Sequence, residues 1–206
     1  MLAAGASSRA GGVNKLLAMD QTGATMIARS VRAALGSNAE QVLVVLGHNR
    51  AMVAAALAQA GLEPHRRLTL LHAQAHLEGL AASLRCGIAG AAAACQADAA
   101  LVCLGDMPMV RSATLDTLIQ RAGEQATALA CVPTLQARRG NPVLWRRDMF
   151  ANLMALTGDR GGRALLDRRA GEVLDVPVDD PGILLDFDTP ERLADYAASA
   201  TTQETL

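Results

Sequence analysis

Apolar positions along this chain fall into two recurring patterns. Val42-Leu43-Val44-Val45-Leu46 is an unbroken run, the pattern of a strand buried on both faces, and predicts a strand over 41–46. Shorter runs predict strands at 68–71, 99–104 and 126–132, and residues 1–4 read as the end of another. Between these runs the spacing turns helical. Met26, Ile27, Val31 and Leu35 share one side, which predicts a helix over 25–35 that Gly36 ends. Helices are also predicted over 50–60, over the alanine-rich 77–94, and over 112–122 with Ser112 as its cap.

After Pro133 the pattern changes. Residues 138–142 form a basic, turn-rich segment, 143–145 a short strand and 147–156 a helix. A glycine-rich cationic loop at 158–163 leads into a helix from 164. Strands are predicted at 172–178 and 183–187, and Thr189-Pro190-Glu191 starts a last helix with Thr as N-cap. The tail 201–206 is polar and expected to fray. Strands alternating with helices predict an α/β fold with a doubly wound, mostly parallel sheet. No linker or repeat interrupts it, so 1–206 reads as one domain with an elaboration at 133–170. In such sheets ligands bind beyond the carboxyl ends of strands.

Composition narrows the possibilities. At 206 residues and 51% hydrophobic, the chain can bury a substantial core. A net charge of −1 offers no basic stripe for nucleic acid, and 2% aromatics offer no stacking platform. Cys86, Cys95, Cys103 and Cys131 lack C-x-x-C spacing, so zinc or a disulfide framework is not expected and a cytoplasmic setting is. No targeting segment or membrane span is expected either. His48, His65, His72 and His76 have no metal-ligand spacing.

The candidate chemistry starts at Leu2-Ala3-Ala4-Gly5-Ala6-Ser7-Ser8-Arg9-Ala10-Gly11-Gly12-Val13-Asn14-Lys15-Leu16-Leu17. An apolar run ends at Gly5, and a small-residue loop with two cations follows. Such a loop lets a ligand lie on the backbone and offers N–H groups to an anion. A nucleoside triphosphate suits it, although it is neither a Walker loop nor G-x-G-x-x-G. Asp106 follows the run Leu101-Val102-Cys103-Leu104, where a buried strand emerges. A carboxylate there can form a turn or hold Mg2+ on triphosphate oxygens. Asp186 and Asp188, two apart on a predicted strand, face one way and suit a cation between them; Asp188 can instead serve the next helix's N-terminus.

The whole opening string resembles the L-A-A-G-x-S-x-R-M-G-x-x-N-K-L-L signature of the molybdenum cofactor nucleotidyltransferases, with Ala10 where that family usually has Met. Leu-Gly-Asp-Met-Pro at 104–108 and Asp-Phe-Asp-Thr-Pro-Glu at 186–191 resemble its metal-binding motifs. Gly79, Ser83 and Leu84 match its G-x-x-x-S-L pattern. Arg139-Gly140-Asn141-Pro142 and Gly158 to Arg163 match its R-G-H/N-P and G-D-x-G-A-R, with Gly162 where Ala is usual. The family normally carries several more apolar residues before L-A-A-G.

The resemblance implies a Rossmann-like, glycosyltransferase-A-like nucleotidyltransferase that moves CMP from CTP to the phosphate of molybdopterin or the molybdenum cofactor and releases pyrophosphate. It implies Lys15, Arg9 and Asp106 as catalytic residues. Leu2, Ala3, Ala4, Gly5, Ser7, Arg9, Gly11, Lys15, Gly79, Ser83 and Asp106 would bind the nucleotide. Arg139, Gly140, Asn141, Gly158, Asp159 and Arg163 would bind the acceptor. Asp106 and Asp188, with Asp186, would bind magnesium. L-A-A-G accompanies CTP in the family and L-A-G-G accompanies GTP. The implied partners are CTP, molybdopterin or its molybdenum-loaded form, and a molybdoenzyme or its chaperone. Use of GTP, another phosphorylated acceptor, an accessory nucleotide-binding role in molybdoenzyme maturation and an NAD(P)-binding oxidoreductase are the other readings.

Overall fold

In the computed structural model, which describes residues 1–5, 14–94, 96–159 and 161–199, three parallel strands open the sheet. β1 (Leu2–Ala3) pairs with β2 (Val42–Leu46), and β2 with β3 (Leu68–His72). On its other edge β1 meets the chain just after β4 (Ala99–Val102). Leu2 N donates to Cys103 O at 2.8 Å, and Gly105 N donates to Leu2 O at 2.9 Å. β4 pairs antiparallel with β7 (Val143–Arg146), which pairs antiparallel with β5 (Ala130–Leu135). β8 (Val173–Pro177) lies parallel on the other edge of β5. The order is therefore β3-β2-β1-β4-β7-β5-β8. β6 (Arg138–Arg139) folds back on the end of β5 as a hairpin.

Helices cover both faces. α1 (Met26–Leu35), α2 (Arg50–Gln59) and α4 (Ser112–Glu124) lie on one, and α3 (Leu80–Ala94), α5 (Phe150–Met154) and α6 (Arg163–Arg168) on the other. The period of two in β2 explains its unbroken apolar run. Val42, Val44 and Leu46 pack with Ile27, Val31 and Leu57, while Leu43 packs with Leu84 and Ile88 across the sheet. No helix among the described residues is long and apolar enough to cross a membrane.

Several local expectations are corrected. The predicted 77–94 helix is broken: a 3-10 turn at His76–Glu78 ends at Gly79, whose φ of 102° only glycine adopts easily, and α3 starts afterwards. The α4 cap is Arg111, not Ser112; the Ser112 hydroxyl donates instead to Ala33 O at 2.9 Å, tying α4 to α1. β5 begins at Ala130 rather than 126. The basic segment after Pro133 contains a strand because Gln136 and Ala137 both take positive φ, the backbone of a two-residue hairpin turn. The predicted 147–156 helix is a 3-10 turn, Arg147–Met149, followed by α5. The predicted strand at 183–187 is a 3-10 turn, Pro181–Leu184, running into irregular chain. Asp180 imposes that turn: its Oδ1 accepts from Gly182 N at 2.9 Å. Its Oδ2 accepts from Arg111 N at 3.0 Å and the Thr114 hydroxyl at 2.6 Å, tying that turn to the start of α4.

The last helix, α7 (Pro190–Ala197), starts as expected, with Thr189 Oγ1 accepting from Arg192 N at 3.4 Å. It docks through fully buried Tyr196, whose ring meets Phe187 edge-on and whose hydroxyl donates to Ala24 O at 3.1 Å. Beside it lies a buried ion pair, Asp20 with Arg29. Asp20 Oδ1 also accepts from Thr22 N at 2.8 Å and the Thr22 hydroxyl at 2.6 Å. Burial alone would raise this carboxyl, but the Thr22, Arg29 and Ala24 donors outweigh it and hold it below its ordinary value.

A carboxyl depressed in the folded state contributes stability above its unfolded pKa and loses it as pH falls through the folded one. Thermal melts should therefore be level from neutral pH down to about pH 4 and fall below it. Asp20→Ala, which takes the carboxylate from a buried guanidinium, should cost about 3–5 kcal/mol in chemical denaturation and flatten that acid limb.

Candidate active site

The carboxyl ends of the parallel strands gather at one edge of the sheet. β1 leads into Ala4 and Gly5, β2 into Gly47, β3 into the His76–Glu78 turn, and β4 through Leu104 into Asp106. Gly47 sits between its neighbours: a Cβ there would lie 2.6 Å from His76 Cβ and 2.8 Å from Ala4 Cβ. Ala4 is itself buried, against Val45 and Ala73.

Asn14 and Leu16 build the platform for Lys15. Asn14 Oδ1 accepts from Leu16 N at 3.1 Å and starts the 3-10 turn Lys15–Leu17. Leu16 is buried beside Gly105, where a Cβ would meet Leu16 Cδ2 at 3.3 Å, Ile27 Cδ1 at 3.1 Å and Leu2 O at 3.2 Å. Ser30 of α1 donates its hydroxyl to Gly105 O at 3.0 Å. The strand tip carrying Asp106 is thus fixed from three directions. Asn14 Nδ2 is buried and has no hydrogen-bond partner among the described residues.

Lys15 Nζ then donates to both Asp106 Oδ2 and Asp188 Oδ1. Burial would lower this ammonium's pKa, but the charges and hydrogen bonds of the two carboxylates outweigh it, so it is raised and stays charged. Asp186 goes elsewhere: its carboxylate accepts from Arg192 Nη1 at 2.7 Å. Because 186–188 is not a strand, the two carboxylates need not share a face, and only Asp188 joins the Lys15–Asp106 group.

Two hard carboxylates closing on one cation are a donor set that fits a divalent ion. Among the described residues no three His, Cys, Asp or Glu side chains cluster to hold a metal unaided.

Gly79 and Ser83 sit at the start of α3, Ser83 buried. The predicted acceptor loop packs directly on them. A Cβ on Gly79 would lie 2.5 Å from Asp159 Oδ1 and 2.7 Å from Gly158 C, and Ala81 N donates to Gly158 O at 3.0 Å. Arg163 is exposed at the head of α6. The other predicted acceptor segment has its own partners. Arg139 forms a paired bond to Asp175, Nε to Oδ1 at 2.7 Å and Nη2 to Oδ2 at 3.1 Å. Gly140 abuts Ile183 O, and Asn141 N donates to that same oxygen at 2.9 Å. Ser7, Arg9 and Gly11 lie outside the described residues.

The sequence reading missed four supporting residues: Asp20 with Arg29, Asp180 and Trp145. Asp20-Gln21-Thr22-Gly23 and Asp180-Pro181-Gly182 carry legible turn chemistry. Trp145 explains why residue 162 is glycine. Trp145 is 3% exposed, and a Cβ at Gly162 would lie 2.5 Å from its Cζ2.

The MobA-like NTP transferase domain profile matches residues 1–173, and the chain belongs to that family. Its fold is the α/β Rossmann-like fold of nucleotidyltransferases. Rv0371c from Mycobacterium tuberculosis H37Rv is 28% identical, with 97% of this chain and 96% of that one covered and a TM-score of 0.79. Rv0371c has also been solved in complex with manganese, a structure 24% identical over 95% of each chain, with a TM-score of 0.73. Molybdopterin-guanine dinucleotide biosynthesis protein A from Archaeoglobus fulgidus, 16% identical over 95% of this chain and 94% of its own, shares the fold with a TM-score of 0.64. No curated protein matches.

Gly162→Ala, the residue usual in the resembling family, should overpack Trp145 and cost about 1–3 kcal/mol in denaturant unfolding.

Proposed function

We propose that this protein is a magnesium-dependent nucleotidyltransferase that moves CMP from CTP to the terminal phosphate of molybdopterin or its molybdenum-loaded form. The observation that carries the reading is the convergence of Lys15, Asp106 and Asp188 on one point at the carboxyl edge of the sheet. Asp106 and Asp188 would hold the magnesium ion. Bound there, it supplies Lewis-acid charge to phosphate oxygens.

The chain's own groups do the rest. The backbone beginning at Gly5, with Arg9, receives the triphosphate. An oxygen of the acceptor's phosphate bonds to the α-phosphorus of CTP. The bond from that phosphorus to the β-phosphate's bridging oxygen breaks, and pyrophosphate leaves with the electron pair. Lys15, kept charged by its neighbours, neutralises charge that grows in the transition state. A phosphate monoester is largely ionised near neutral pH, so no strong base is required. Positioning supplies much of the barrier reduction. The contact of Gly158 and Asp159 with the start of α3 supports an acceptor site beside the nucleotide site.

The preference for CTP rests on Ala3-Ala4-Gly5. That Ala-Ala-Gly accompanies CTP in the resembling family; the Ala4 side chain is itself buried against Val45 and Ala73. The cysteine spacing supports a cytoplasmic setting.

Asp106→Ala should abolish pyrophosphate release from CTP and acceptor while the circular-dichroism melt stays close to the parent's. Normal turnover in that variant would remove the assignment. In a thermal-shift panel with magnesium, CTP should raise the melting point more than GTP, ATP or UTP.

A further inference from the structure

The turn after β3 sets one histidine against the tip of β1. Ala73 N donates to Leu46 O at 2.9 Å, which ties that turn to the end of β2. His48 N donates to Ala4 O at 3.2 Å, which ties the end of β2 to β1. Gly47 lies between the two bonds, and its lack of a Cβ is what lets the His76 and Ala4 side chains come as close to it as they do.

The backbone also orients the His76 ring. Nδ1 lies 3.0 Å from Ala73 O, the oxygen to which His76 N donates at 3.2 Å. A carbonyl oxygen only accepts, so Nδ1 carries the proton. In the neutral ring Nε2 is then a lone-pair acceptor, on the side of the imidazole away from that carbonyl. Nε2 has no hydrogen-bond partner among the described residues. His76 is half-buried, and the His48 ring stands beside it, centroids 6.5 Å apart and planes at 50°. Leu77, next in the turn, is a large apolar side chain left 82% exposed.

This corner is separate from the Lys15 group. β1 lies between β2 and the chain just after β4, so Asp106 leaves the sheet on one side of β1 and His76 on the other, beyond β2. The inference rests on the reading of this edge as a nucleotide site. With the α-phosphorus at the Asp106 and Asp188 carboxylates and the phosphates on the backbone beginning at Gly5, the crevice over Ala4 and Gly47 is left for the base. We propose that His76 reads that base: its Nε2 accepts a hydrogen bond from the amino group at position 4 of cytosine, and Leu77 covers a face of the ring. Uracil carries an oxo group at that position, which would set a second acceptor against Nε2 and leave both unsatisfied. His76 is thereby a specificity-determining residue for CTP against UTP, apart from the groups that carry out the transfer.

Calorimetric affinities for CTP, UTP and the 4-deamino analogue of CTP, each with magnesium, test this on the parent and on His76→Asn. Asparagine keeps a donor near Ala73 O but is too short to offer an acceptor where Nε2 stands. The parent should bind CTP about tenfold or more tighter than UTP or the analogue. His76→Asn should lose that preference, with CTP weakened about tenfold, UTP not weakened and the melting temperature close to the parent's. A residue that only held the turn would be replaced adequately by asparagine, so a variant with the parent's CTP-to-UTP ratio would overturn the proposal. So would a parent that binds CTP and the 4-deamino analogue equally, a result that needs no variant to fold. In both cases CTP binding itself would persist and leave the nucleotide reading standing. A parent that bound none of the three would remove that reading and this one together.

Discussion

An ammonium group and two carboxylates that lie 91 and 173 residues further along the chain meet at one edge of the sheet. Like charges of Asp106 and Asp188 could not be held this close without a cation between them, and Lys15 provides it. Much of the fold serves to bring these three together. β1 is bonded to the chain just after β4, at Cys103 and Gly105, so Gly5 and the tip bearing Asp106 leave neighbouring positions at that edge. α7 docks on α1 through Tyr196, which returns the chain's last helix, and Asp188 just before it, to the same edge. The Asp20–Arg29 pair and its Thr22 bonds brace that docking from below.

The sheet was legible wherever a strand is buried on both faces, since an unbroken run such as 42–46 has few alternatives. It was less legible where one residue's backbone or polar contacts override the local pattern. Ile183 and Leu184 look like strand residues, but Asp180 captures the Gly182 amide and curls them into a 3-10 turn. Gln136 and Ala137 carry no glycine to announce a tight hairpin, yet adopt positive φ. The candidate site was legible as motifs, and the structure sorts them. Asp188 faces Lys15 while Asp186 is taken by Arg192, a distinction that spacing by two could not make. Arg139 is held by Asp175 on β8, a partner 36 residues away that only the sheet brings near.

Glycines mark where backbone meets backbone or ring. Gly140 lies against Ile183, Gly182 against Met109, Gly79 against Gly158, and Gly162 against Trp145. Gly79 and Gly182 join segments after Pro133 to residues before it, while Gly140 and Gly162 close contacts within those segments. The contact between Gly79 and the Gly158–Asp159 loop sets the helix start proposed for the nucleotide against the loop proposed for the acceptor.

The central claim is that Asp106 and Asp188 act as one cation-gripping unit with Lys15. A double-mutant cycle on the calorimetric affinity for CTP with magnesium tests it, using Asp106→Asn, Asp188→Asn and the pair together. If the two carboxylates grip one ion, each single change should weaken binding by about tenfold or more, and the double variant should lose much less than the product of the two. Losses that simply multiply, or a single variant that binds as the parent does, would contradict the account.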